Sequence, residues 1–96
     1  MTRELRISDI IFSAADEETT RSGLLGWVRI IMNDTLCIDG VALRRTVDGR
    51  LTLSFPSRTD ARGQRHHLVR PIDDRARREI EHAVFQALGL LEAAER

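Results

Sequence analysis

The sequence predicts an α+β fold: an antiparallel sheet of four or five strands followed by one C-terminal amphipathic helix. Three observations predict it. Apolar residues from about 5 to 70 recur with a period of two, in runs separated by Asn-Asp, Asp-Gly and Pro-Ser. From Asp73 the period changes to 3.6. No linker, repeat or low-complexity tract divides the 96 residues, so one domain over 1–96 is expected, with strands over about 5–70 and the helix over about 73–91.

Each element has its own signal. Leu5 to Phe12 reads as a first strand, and the polar run Ala14 to Ser22 as a turn or flexible loop. Leu24 to Met32 is the most apolar stretch, with Leu24, Val28, Ile30 and Met32 on one side and Leu25, Trp27 and Ile31 on the other. Apolar residues on both sides predict a central strand covered on both faces. Thr35 to Arg44 reads as a third strand, bent or bulged at Asp39-Gly40. Val47-Asp48-Gly49 signals a hairpin turn. Leu51, Leu53 and Phe55 then alternate with Thr52 and Ser54, the pattern of a half-buried strand. After an arginine-rich loop, Gln64 to Arg70 reads as a polar, edge-like fifth strand stopped by Pro71.

The helix should bury Ala76, Ile80, Ala83, Val84, Ala87, Leu88 and Leu91. Asp73 or Asp74 can cap its start, and Arg75–Glu79 and Arg77–Glu81 stand at i,i+4. Gly89 should loosen the last turn, and Glu92 to Arg96 should fray.

Composition narrows the function classes. Apolar runs are too short for a membrane span, the first residues lack a signal-peptide core, and the one cysteine, Cys37, cannot form an internal disulfide. A cytoplasmic location is the expectation. All fifteen basic residues are Arg, which reflects a GC-rich coding bias before it reflects selection at each site. Their placement carries more. The net charge is zero, yet Arg44 to Arg78 holds ten Arg against four acids, while the remainder holds five Arg against eleven acids. Such a block can form a phosphate-binding face, or it can be neutralised within the subunit or across a dimer.

The order of strand, Phe55-Pro56-Ser57-Arg58, polar loop, strand, Arg70-Pro71-Ile72 and helix resembles the SpoVG family of septation and sporulation regulators. Ile7-Ser8-Asp9-Ile10, Ile38-Asp39-Gly40 and Val47-Asp48-Gly49 fall where that family has its first, third and fourth strands. The resemblance runs from about Leu5 to Leu88. Departures mark a divergent member. Phe55 stands for the usual Met, Arg58 for a Lys-Arg pair and Arg70 for the His before Pro71, and Ala61-Arg62-Gly63 is an altered loop. The loop after the first strand is also longer and more acidic. What the resemblance implies is a small homodimer built on an antiparallel sheet. It further implies binding of DNA or RNA, effects on septum formation and gene expression, and no enzymatic activity.

The candidate binding residues are Arg58, Arg62, Arg65 and Arg70 around the loop and fifth strand, with Arg75, Arg77 and Arg78 at the helix start. Arginine forks beside a helix N-terminus suit phosphate. Cations there oppose the helix dipole, which favours a functional reason for them. The plain alternative is a solvated face balanced by Asp73, Asp74, Glu79 and Glu81. His66-His67 should point to opposite sides of a strand and not chelate one metal. Ser57, Asp60 and His67 have the residue types of a hydrolytic triad without its sequence context. Cys37 is expected as a small core residue, and Trp27 as core or dimer interface. No cofactor and no small-molecule substrate is expected. The partners expected are a second copy and nucleic acid, bound mainly by charge. The competing class is a protein-interaction or structural module of the division or regulatory machinery.

Overall fold

The computed structural model describes residues 6–90. Four strands, β1 (Ile7–Ala14), β2 (Leu24–Met32), β3 (Leu36–Arg45) and β4 (Leu51–Ser54), form an antiparallel sheet in the order β1-β2-β3-β4. A one-turn helix α1 (Glu17–Arg21) joins β1 to β2. Past Pro56, β5 (Ser57–Thr59) and β6 (Arg65–His67) pair only with each other as a second sheet. Helix α2 (Asp74–Ala87) follows. The architecture is α+β, a four-stranded antiparallel sheet followed by a C-terminal helix.

The turns that set the register follow from their residues. Asn33 and Asp34 adopt φ of 51° and 53°, the left-handed pair of a type I′ hairpin, which these short polar side chains tolerate. Their turn is tied to the start of β1 by the Arg6 N–H donating to Asn33 Oδ1 at 2.7 Å and by an Arg6–Asp34 ion pair at 2.6 Å. Between β3 and β4, Gly49 takes φ of 87° and donates its N–H to the Thr46 carbonyl. The expected bulge in β3 is present: the β2–β3 register slips between Val28 and Ile30, where Asp39 and Gly40 stand opposite Arg29.

One face of the sheet and α2 make the core. Val28, Ile30, Val41, Leu43 and Leu53 are almost fully buried and pack with Phe55, Ile80, Val84 and Phe85. Burying side chains of this size stabilises a chain by roughly 1.5–3 kcal/mol each before conformational entropy is counted. Gly26 in β2 is required by closeness. A Cβ there would lie 2.4 Å from the Ser13 carbonyl oxygen and 2.7 Å from the Phe12 ring.

Several expectations are corrected. Among the described residues β2 is covered on one face only. Trp27, opposite Ser13 and Ala42, remains 43% exposed, and Ile11 beside it is 45% exposed. Cys37, paired with Ile31, lies on this same open face and is not a core residue. The run read as a loop after β1 contains α1, because Asp16 accepts the Thr19 N–H at 2.7 Å and so caps a helical turn. The fifth strand is shorter than Gln64 to Arg70 and is not an edge of the main sheet, since β6 pairs with β5.

In α2, Asp73 is the cap, accepting the Ala76 N–H at 2.8 Å. Gly89 ends the helix instead of loosening it. With φ of 73° it lets the Leu90 N–H reach back to the Phe85 carbonyl, a Schellman closure. The buried stripe therefore gains Phe85 and leaves Ala87 outside. Leu5 in the first strand, Leu91 in the stripe and the fraying of Glu92 to Arg96 lie outside the described residues. Among the described residues no helix is long and apolar enough to cross a membrane.

Candidate nucleic-acid interface

The β5–β6 hairpin is held by polar contacts around one carboxylate. Asp60 Oδ1 accepts the N–H groups of Arg62 and Gln64, both at 2.9 Å, and its Oδ2 lies 2.7 Å from His66 Nε2. Gly63, at φ of 82°, supplies the left-handed residue of the tip. The His66 ring, followed by the Gln64 N–H, holds the Asp60 carboxyl below the ordinary carboxylate range. At the base of the hairpin the Pro56 carbonyl accepts the Leu68 N–H at 3.0 Å.

Register decides which side chains share a face. Arg58 stands opposite His66, whereas Ser57 and Thr59 stand opposite His67 and Arg65. His66 and His67 thus project to opposite sides. The triad types are not assembled either, because Asp60 bonds His66, and Ser57 Oγ accepts from Arg65 Nε at 2.8 Å. Every residue from Ala61 to Arg70 is exposed, as are Arg58 and Thr59.

A second arginine-bearing feature, with acids and arginines in equal number, lies between the β3–β4 turn and the first turns of α2. Arg50, Arg77 and Arg78 border a groove of about 520 Å³ there, with Asp48, Asp74 and Glu81. Two of these acids are already engaged. Asp48 accepts the Thr46 hydroxyl, which lowers its pKa, and Glu81 Oε2 accepts the Leu53 N–H at 3.2 Å and the Thr52 hydroxyl at 3.4 Å. The expected Arg77–Glu81 pair is therefore not made. Arg75–Glu79 is made, at 3.3 Å.

The seven candidate arginines are thus divided. Arg58, Arg62 and Arg65 belong to the hairpin, and Arg77 and Arg78 share the helix-start groove with Arg50. Arg75 is neutralised by Glu79, and Arg70 borders a different, apolar groove with Phe55, Pro71, Ile72 and Ile80. Among the described residues, Arg58, Arg62, Arg65, Arg70, Arg77 and Arg78 form no ion pair. Sequence reasoning missed Arg50. Its only signal was its place directly after the Asp48-Gly49 turn, which returns it towards whatever packs beside β4. Among the described residues no cluster of three His, Cys, Asp or Glu could hold a metal ion.

No curated protein matches the chain in sequence. The SpoVG family model matches residues 5–89, a span that takes in both sheets, the basic hairpin, the Arg70-Pro71-Ile72 junction and α2. With that match over most of its 96 residues, the chain belongs to the SpoVG family, which supports a SpoVG-like regulatory role.

Proposed function

We propose that this protein is a homodimer that binds DNA or RNA through phosphate contacts, and that it acts in this way in septation, division and gene expression. The observation that carries the reading is the set of exposed arginines that make no ion pair among the described residues, on two preformed features, the hairpin and the helix-start groove. A neutral chain that left its arginines paired would have no such field to offer a polyanion. Here Glu81 and Asp60 are held by backbone N–H groups and pair with neither Arg77 nor Arg62, so those guanidinium forks stay available to a phosphate.

Phosphate contacts release condensed counterions, so affinity should fall steeply with salt, from roughly micromolar at low ionic strength. Fluorescence anisotropy with DNA and RNA probes tests this. Changing Arg58, Arg65 and Arg77 together to Ala should weaken binding and flatten the salt dependence. Absence of binding at low salt, with an intact dimer, overturns the nucleic-acid reading. A partner protein captured with little salt dependence would instead support an interaction module, for which the apolar groove beside Arg70 is the favouring observation.

Support for the dimer comes from the open side of the sheet. Ile11 and Trp27 are exposed together, and β1 is an edge strand of eight residues with no Pro or Lys to defend it. Light scattering on the eluting protein should give twice the chain mass; a monomer at high concentration overturns the homodimer.

A further inference from the structure

Resting on the nucleic-acid reading, we propose that the β5–β6 hairpin is a ribbon that enters the major groove of double-stranded DNA. In this arrangement Arg65 faces the base edges, and Arg58 and Arg62 hold the flanking phosphates.

Dimensions and rigidity both support the assignment. Two strands about 4.8 Å apart, with side chains, make a ribbon that fits the roughly 12 Å major groove of B-form DNA. The deep, narrow major groove of A-form RNA does not admit such an element. Ser57 to His67 contains no Phe, Tyr or Trp, and with His66 held by Asp60 only the His67 ring is left to stack on splayed single-stranded bases, a small platform. The ribbon is also organised before any ligand arrives. Asp60 binds two backbone N–H groups and the His66 ring, and the main sheet does not pair with it.

The two faces differ in what they offer. On one, Arg65 donates Nε to Ser57 Oγ at 2.8 Å, which orients the guanidinium and leaves its two terminal nitrogens for a ligand. That pair matches the O6 and N7 acceptors that guanine presents in the major groove. Thr59 and His67 share this face and are exposed. On the other face His66 is taken up by Asp60, and Arg58 stands opposite it, in no ion pair among the described residues. Arg62 lies at the tip, its backbone N–H fixed by Asp60. With the Arg65 face on the floor, the Arg58 face turns outward, so Arg58 meets a phosphate wall by the length of its side chain passing the ribbon edge, and Arg62 meets one from the tip. Ser57 is a positioning residue that acts through Arg65.

The test uses the full chain and probes of equal length: duplex DNA, duplex RNA and single-stranded DNA. Duplex DNA should bind about tenfold more tightly than duplex RNA. Replacing guanine by 7-deazaguanine, which removes the N7 acceptor, should weaken binding by the intact protein about fivefold, and should change nothing in Arg65→Ala. Ser57→Ala should reduce that fivefold effect while keeping the salt slope. Arg58→Ala and Arg62→Ala should each lower the salt slope by about one without altering the guanine effect. Equal affinity for duplex RNA, or a 7-deazaguanine effect that survives Arg65→Ala, overturns the ribbon assignment while nucleic-acid binding stands. No binding to any probe overturns both. Unchanged melting of each variant confirms that the substitutions leave the fold intact.

Discussion

The chain contains two antiparallel sheets built on opposite terms. The four-stranded sheet is long, carries buried Val28, Ile30, Val41, Leu43 and Leu53, and is covered on that face by α2. The β5–β6 sheet has two strands of three residues, buries no side chain fully and is held by backbone pairing and Asp60. An isolated hairpin of this size is marginal in water. Its place in the chain, anchored at Pro56 and followed by Pro71 and the capped start of α2, lets it exist without a core of its own. The large sheet supplies stability and the small one displays charge, so damage to each should appear in different measurements.

The largest effect should come from Gly26→Ala. The added methyl meets backbone and ring atoms that cannot withdraw without parting β1 from β2. Destabilisation of about 3 kcal/mol should appear as a lowered denaturant midpoint. A variant as stable as the parent would show that β1 is not locked to β2.

Glu81→Ala comes next. It leaves the part-buried Leu53 N–H on the outer edge of β4 without its acceptor. A loss of about 1.5 kcal/mol is expected, and Glu81→Gln, which keeps a carbonyl acceptor, should lose less. Because Glu81 makes no ion pair with Arg77 and both variants remove a negative charge from the groove that Arg77 borders, nucleic-acid affinity should not fall.

In the small sheet the order reverses. Arg58→Ala with Arg65→Ala should change stability by less than about 0.5 kcal/mol while weakening binding at low salt. A comparable loss of stability would mean that the arginines serve the fold.

The smallest global effect should come from acid acting on Asp60. Its pKa is lowered in the folded chain, so its contribution is complete above the unfolded value of about 3.9 and is lost as pH falls through the folded value. Amide signals of Arg62 and Gln64 should shift over that acid range, and Asp60→Asn should abolish the titration. Melting of the main sheet should be little affected by the Asn change.

Much of this division was legible in the chain. Alternation in Leu51 to Phe55, the Asp48-Gly49 turn and the 3.6-residue stripe after Asp73 are local signals, and each element formed where its signal lay. Two further signals are local but faint in their surroundings. Asp16 three residues before Thr19 is a cap within a polar run, and Gly89 is a helix stop. Others were not local at all. Cys37 and Trp27 look like core residues by type, and alternation sets them on the face opposite Ile38 and Val28, but only the packing of α2 on one face decides which side is buried. Arg50 and Arg77 are separated by more than twenty residues, and only the packing of α2 beside β4 makes them neighbours of one groove.

By itself, then, the sequence determined the four main strands and the C-terminal helix, a cap at Asp73 or Asp74, the segregation of charge and the family to which the chain belongs. These depend on interactions within a few residues or on the order of motifs. Tertiary structure alone decided that the arginine-rich segment forms a separate hairpin and that Glu81 serves a strand instead of Arg77. It also decided that the candidate arginines fall into groups on different features. Those outcomes turn on which distant backbone groups need hydrogen-bond partners once the core has packed, and that competition has no local signature.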